Sequence, residues 1–237
     1  MATLGSLGDL HPAIAIGLEL RQPGHTVSFS TSAPYRPRIE SLGFEFRPMR
    51  PDVAVENASM AQLVREIMDA RKGAERLLRG FIFPQLRATY KDLMQATPGN
   101  GGADLLVSGE LVYAAPLVAE KTGMRWASYI TSPMSFFSAY DPPVLPPFPG
   151  FARLLCLLGL TFNRTAIRAV KLVTRSRSEP VRKLRAELGL PPGKDPISKA
   201  STPLNRSWPS SLPCWRNPDR IGNPARSSLA SRFTMAG

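Results

Sequence analysis

The order of segments in this chain predicts an α/β fold built on a parallel sheet. A glycine turn, Gly5-Ser6-Leu7-Gly8-Asp9-Leu10-His11-Pro12, stands between a short apolar start and a helical pattern. Strand-like and helix-like segments then follow in the order β-α-β-α-β, which implies parallel strands joined by right-handed crossovers. The alternation runs across about the first 130 of 237 residues, and a 43% apolar fraction is enough for a real core.

Residues 1–4 read as the end of a first strand, shorter than the usual five residues or so. Ala13 to Leu20 reads as a buried helix stopped by Pro23-Gly24, and His25 to Thr31 as the second strand. Residues 35–42 form a short helix closed by Gly43, and residues 44–48 a brief third strand. Residues 57–97 are mostly helical, with apolar positions Leu63, Ile67, Leu77, Leu78 and Phe81 at three- and four-residue steps. Gly80 and Pro84 are expected to split this stretch into two helices. A strand at 104–108, a helix at 111–122 and a strand at 126–130 continue the alternation. The proline-rich run 141–150 cannot be helix or central strand and reads as an ordered loop or lid. Helices follow at 151–173 and 179–188.

Composition narrows the classes. No apolar run approaches the roughly 18–20 residues of a membrane span. No signal peptide is evident, so a cytoplasmic protein, at most peripheral to a membrane, is the expectation. Cys156 and Cys214 make neither a metal spacing nor a disulfide framework, and no metal site is expected. The net charge of +12 divides into +5 in residues 198–237 and +7 before them, much of it between Arg164 and Arg185. A solvated basic face is the simplest account; anionic lipid or a phosphate-bearing ligand is the alternative. No nucleic-acid motif accompanies the charge, so nucleic acid is not an expected partner.

The glycine turn carries the chemistry. Its spacing is G-x-x-G-D, not G-x-G-x-x-G, and no acidic residue follows the second strand to hold a ribose, which disfavours a nicotinamide dehydrogenase. Asp9 stands where the helix begins. Such a residue is either an N-cap, accepting from N–H groups two or three residues on, or a general base that takes a proton from an attacking hydroxyl. The two roles are compatible. His11 is a surface histidine or a ligand, and Pro12 suits a first helical turn.

These residues resemble the start of a known family. G-S-L-G-D-L-H-P-A-I-A-I-G-L-E-L, P-G-H-T-V-S-F-S-T and I-E-S-L-G-F-E-F-R-P resemble glycosyltransferases of the family 28 type, which include sterol, macrolide and rhamnolipid enzymes of the GT-B fold. Pro116 to Gly123 resembles the family's helix before its next strand, and Ser132-Pro133-Met134-Ser135-Phe136 with the proline loop resembles one bacterial branch. The similarity covers about residues 1–197. It implies the N-terminal half of a GT-B enzyme: a Rossmann-like parallel sheet with helices on both faces, binding a lipophilic acceptor such as a lipid, sterol or natural product. The other half would bind a nucleotide-sugar, which is a co-substrate and not a resident cofactor. Asp9 matches the family's general base, with Gly5, Ser6, Gly8 and His11 lining the cleft. Ser108 and Glu110, at the end of one strand, and Ser132, after the next, are further acceptor-side candidates.

The chain departs from the family after Ile197. There is no second α/β alternation and no glycine- and histidine-rich donor motif. Residues 198–237 hold eight Ser, five Pro and two of three Trp without periodicity, an irregular tail. Read from the third base of each codon, 197–204, 218–221 and 225–237 are compatible with family-like strings in family order. The tail is therefore expected to be a frameshifted remnant of the linker and donor domain, which the nucleotide sequence would decide. The short first strand suggests an upstream start as well. On this reading the chain is an acceptor domain inactive alone. A non-catalytic binding module or accessory subunit is one alternative, and an unrelated Rossmann-like nucleotide binder another.

Overall fold

Four parallel strands and a bridging N-terminal segment form the sheet of the computed structural model. It describes residues 1–22, 24–52, 66, 67, 69, 73–97, 103–131, 161–165, 168 and 178–192. Ser132, the proline-rich run 141–150, most of the expected helix at 151–173 and the tail 198–237 lie outside the described residues.

Strand β1 (Ser28–Thr31) pairs in parallel with β2 (Glu45–Pro48), with Phe29 opposite Phe46. Strand β3 (Leu105–Gly109) pairs in parallel with β4 (Arg125–Tyr129), with Ser108 opposite Ser128. Residues 1–4 lie between the two pairs, since Ala2 bridges both Ser30 and Ser108 in parallel. Ala2 N–H donates to the Val107 carbonyl at 2.8 Å, and Thr3 N–H to that of Ser30 at 3.0 Å. The expected short first strand is thus the middle of the sheet, with Ala2, Thr3 and Leu4 all buried. The spatial order is β2, β1, residues 1–4, β3, β4. The order in which strands are added across the sheet reverses at residues 1–4, the position where open α/β sheets bind ligands beyond their carboxyl ends.

The period-two alternation of strands divides the core. Ala2, Leu4 and Leu106 face a cluster with Ile82, Phe83, Leu86, Leu93, Leu117, Val118, Val181 and Leu184. Phe29, Phe46 and Tyr129 face the other way, against Leu10, Ala13, Ile14 and Ile39. Helices therefore cover both faces, as expected.

Helix α1 (Leu7–Arg21) buries Leu10, Ala13, Ile14 and Gly17, a stripe at three- and four-residue steps. Gly17 lets α1 approach the sheet: a Cβ there would lie 2.7 Å from Phe29 Cζ. Pro12 is inside the helix and not in its first turn, because the helix starts at Leu7. A 3-10 turn (Ala33–Tyr35) leads into α2 (Arg36–Ser41). Next in chain order, the stretch expected to split at Gly80 and Pro84 instead changes its winding. Helix α3 (Gly73–Arg76) passes into a π-helical turn (Leu77–Ile82), a 3-10 turn (Phe83–Gln85) and helix α4 (Leu86–Ala96). Pro84 falls at the start of the 3-10 turn, where its missing N–H costs little. Helix α5 (Ala115–Thr122) begins later than expected, with Pro116 in its first turn, and α6 (Glu179–Glu187) buries Val181 and Leu184.

Polar anchors join the layers. Arg50, just past β2, donates from Nε and Nη2 to the Asp92 carboxylate on α4 at 2.9 and 2.7 Å, and its backbone N–H adds a third bond at 2.9 Å. Arg185 on α6 pairs with Glu120 on α5, and Lys121 Nζ donates to the Leu188 carbonyl at 3.0 Å. No helix among the described residues is long and apolar enough to cross a membrane.

Candidate active site

The glycine turn leaves residues 1–4 at the carboxyl edge of the sheet and closes on itself before α1 starts. Ser6 is the N-cap: its Oγ accepts from Gly8 N–H at 3.2 Å, and its carbonyl accepts from Asp9 N–H at 3.0 Å. Asp9 is the third helical residue. Its Oδ2 accepts from Ser6 N–H at 2.9 Å and lies 3.3 Å from Ser6 Oγ, which completes a capping box. Asp9 is therefore not the N-cap that its position in the sequence suggested. It serves the helix start from three residues inside, through the reciprocal bond.

Gly5 makes room for this. Its φ is +127°, and a Cβ on it would lie 2.2 Å from Asp9 Oδ2. Only a residue without a side chain fits beneath the carboxylate. The backbone donors of Ser6 and Gly8 are consumed by the box, and a carboxylate sits where a dinucleotide fold would present bare N–H groups to a phosphate. That arrangement repels a phosphate and suits a base.

Strand ends bring further groups to Asp9. Thr131, two residues past β4, donates from Oγ1 to Asp9 Oδ1 at 3.2 Å. The hydroxyls of Tyr129 and Thr3 lie 3.3 and 3.4 Å from the Asp9 carbonyl oxygen. Tyr35 donates to the Gly5 carbonyl at 3.1 Å. Burial pushes the Tyr129 phenol up to about 12; a hydrogen bond with Thr3 opposes this, and the charges of Asp9 and Glu110 add to it. Burial, then the Asp9 charge, also raises Tyr35. Both phenols stay protonated, and so able to donate, near neutral pH.

The remaining sequence candidates scatter. Gly8 and Ser6 are exposed on the turn beside Asp9, and Leu7 is 51% exposed there. His11 is exposed, but two residues from Asp9 on a helix the side chains do not face each other. Ser108 is fully buried, and its Oγ accepts from Trp126 Nε1–H at 2.9 Å on the sheet face opposite Tyr129. Glu110 is half-buried beyond β3, close enough to act on Tyr129. Among the described residues no three His, Cys, Asp or Glu side chains gather into a metal site. Sequence reasoning missed Thr3, Tyr35, Tyr129 and Thr131. The available signal was position, since Thr131 directly follows the strand expected at 126–130.

Comparison with known proteins gives this geometry a context. The family model described as "Glycosyltransferase family 28 N-terminal domain" matches residues 1–124. The Candida albicans sterol 3-beta-glucosyltransferase is 26% identical over 140 residues, covering 59% of this chain and 9% of that protein. The Streptomyces fradiae O-mycaminosyltylonolide 6-deoxyallosyltransferase is 28% identical over 227 residues, covering 88% of this chain and 51% of that protein. The chain thus spans about half the length of the second relative and much less of the first. Among solved structures, a Streptomyces sp. SF2575 glycosyltransferase superposes with a TM-score of 0.46 at 16% identity, over 82% of this chain and 46% of that one.

Proposed function

Because the chain belongs to the glycosyltransferase family 28 N-terminal domain family, we propose that it is the acceptor-binding half of a hexosyltransferase with Asp9 as general base. Such an enzyme moves a sugar from a nucleotide-sugar to a hydroxyl of a lipophilic acceptor. The observation that carries the reading is the Asp9 carboxylate itself. It stands beyond the carboxyl ends of parallel strands, at the reversal in strand order, with both oxygens held.

A hydroxyl is a poor nucleophile at neutral pH, and a fixed carboxylate within hydrogen-bond reach removes its proton as the oxygen attacks the anomeric carbon. The sugar carbon–oxygen bond to the nucleoside diphosphate breaks as the new one forms, with inversion. Relatives named for a sterol and for O-mycaminosyltylonolide support a lipophilic acceptor. The exposed Leu7 beside Asp9 is consistent with one.

Transfer needs acceptor and donor held together. The purified 237-residue chain is expected to bind acceptor without turning over a nucleotide-sugar. Robust glycoside formation by the chain alone would refute that. In a protein completed with a donor half, Asp9→Asn is expected to lower kcat by about 10²–10⁴-fold with little change in the acceptor KM. Wild-type kcat in that variant would sink the assignment of the base.

A further inference from the structure

We propose that the end of strand β4 sets the orientation of the Asp9 carboxylate, with Thr131 as the positioning residue and Tyr129 as its backbone counterpart. This rests on the reading of Asp9 as the base, and it identifies what aims that base.

The two residues grip Asp9 from the exit of one strand. Thr131 lies two residues beyond Tyr129, the last residue of β4, and both side chains reach Asp9. Tyr129 holds the main chain, with its hydroxyl 3.3 Å from the Asp9 carbonyl oxygen, and Thr131 holds the side chain, at 3.2 Å from Oδ1. These contacts span 120 and 122 residues of sequence. The capping box alone fixes only Oδ2, through the Ser6 N–H. A carboxylate held at one oxygen still turns about that contact through joint changes of χ1 and χ2, whereas two donors on opposite oxygens leave one orientation.

The local bonds cannot substitute for the distant one. Ser6 N–H and Oγ both address Oδ2, and Gly5 beneath the carboxylate supplies no side chain to restrain it. Buried Tyr129 keeps its proton to high pH, so its end of the grip persists across the range in which a carboxylate base works. The price of misaiming is steep, since a displacement of about 1 Å at a reacting group costs about 10²-fold in rate.

The test uses the full chain and does not depend on turnover. Three-bond carbon–carbon and carbon–nitrogen couplings measured by NMR report the χ1 distribution of Asp9. In the native chain they are expected to show a single rotamer. Thr131→Val should give averaged couplings at Asp9, and Thr131→Ser, which keeps the hydroxyl, should restore the single rotamer. Amide chemical shifts of β3 and α5 show that each variant is folded. Native couplings in a folded Thr131→Val chain would overturn the proposal, as would averaging that Thr131→Ser does not rescue. Tyr129→Phe, which cannot donate, is expected to move the Asp9 amide resonance while the χ1 couplings change less than in Thr131→Val; the reverse ranking would also overturn it. Failure of the base reading shows separately, as wild-type kcat of Asp9→Asn in a donor-completed protein, whatever the couplings say.

Discussion

Gly5 and Asp9 work as one unit: the first yields the space that the second fills. A side chain at position 5 faces two penalties, the φ of +127° and a contact of 2.2 Å with Oδ2. The first is unfavourable for any L-residue and costs about 1–3 kcal/mol. The second forces the carboxylate out of its bond with Ser6 N–H and opens the capping box. Gly5→Ala is therefore expected to lose about 2 kcal/mol or more of unfolding free energy by denaturant titration. A loss under about 0.5 kcal/mol would mean that the turn tolerates a different shape.

At the scale of elements, α1 packs against the sheet at the distance Gly17 permits. Alanine there would gain about 1 kcal/mol in helix propensity. Against that, its Cβ would stand 2.7 and 2.8 Å from two ring carbons of Phe29, a residue with no exposed surface. Overpacking of this kind costs about 1–3 kcal/mol and outweighs the propensity gain. Gly17→Ala is expected to lower thermal stability, and adding Phe29→Leu should recover part of the loss; a stabilised single variant would show that the helix can move. The order of elements was legible in the sequence because period-two and period-3.6 patterns report burial directly. The start of α1 was not, since Ser6 and Asp9 are both good capping residues and only their reciprocal bonds decide between them. Nor was the contact between Asp9 and Thr131. A bond across 122 residues leaves no local pattern, and it exists only once β4 has its place in the sheet.

The whole molecule is tied together across its layers by polar contacts as well as by its core. Asp92 and Arg50 join the exit of β2 to α4, with Thr89 Oγ1 also donating to the Arg50 carbonyl at 2.7 Å. Partial burial alone would raise the Asp92 carboxyl, but the hydrogen bonds from Arg50 outweigh it and hold Asp92 below the usual carboxylate range. A folded-state value below the unfolded one means stability that is present at neutral pH and lost as pH falls through the folded value. The stability gap between the native chain and Asp92→Asn should be widest near neutral pH and should narrow as pH falls through the depressed carboxyl value of the folded chain. A gap constant with pH would exclude the ion pair as its source.

The seating of residues 1–4 has a kinetic consequence. Each strand pair can form from nearby sequence, β1 with β2 and β3 with β4, but neither makes the sheet. The join needs Ala2 to pair with both Ser30 and Ser108, the second of which lies 106 positions away. Loop closure over that separation is an entropic toll met late, and topologies that depend on such contacts fold slowly. The same segment that carries the glycine turn is thus expected to lock into the sheet late, and the site to mature with the sheet as a whole.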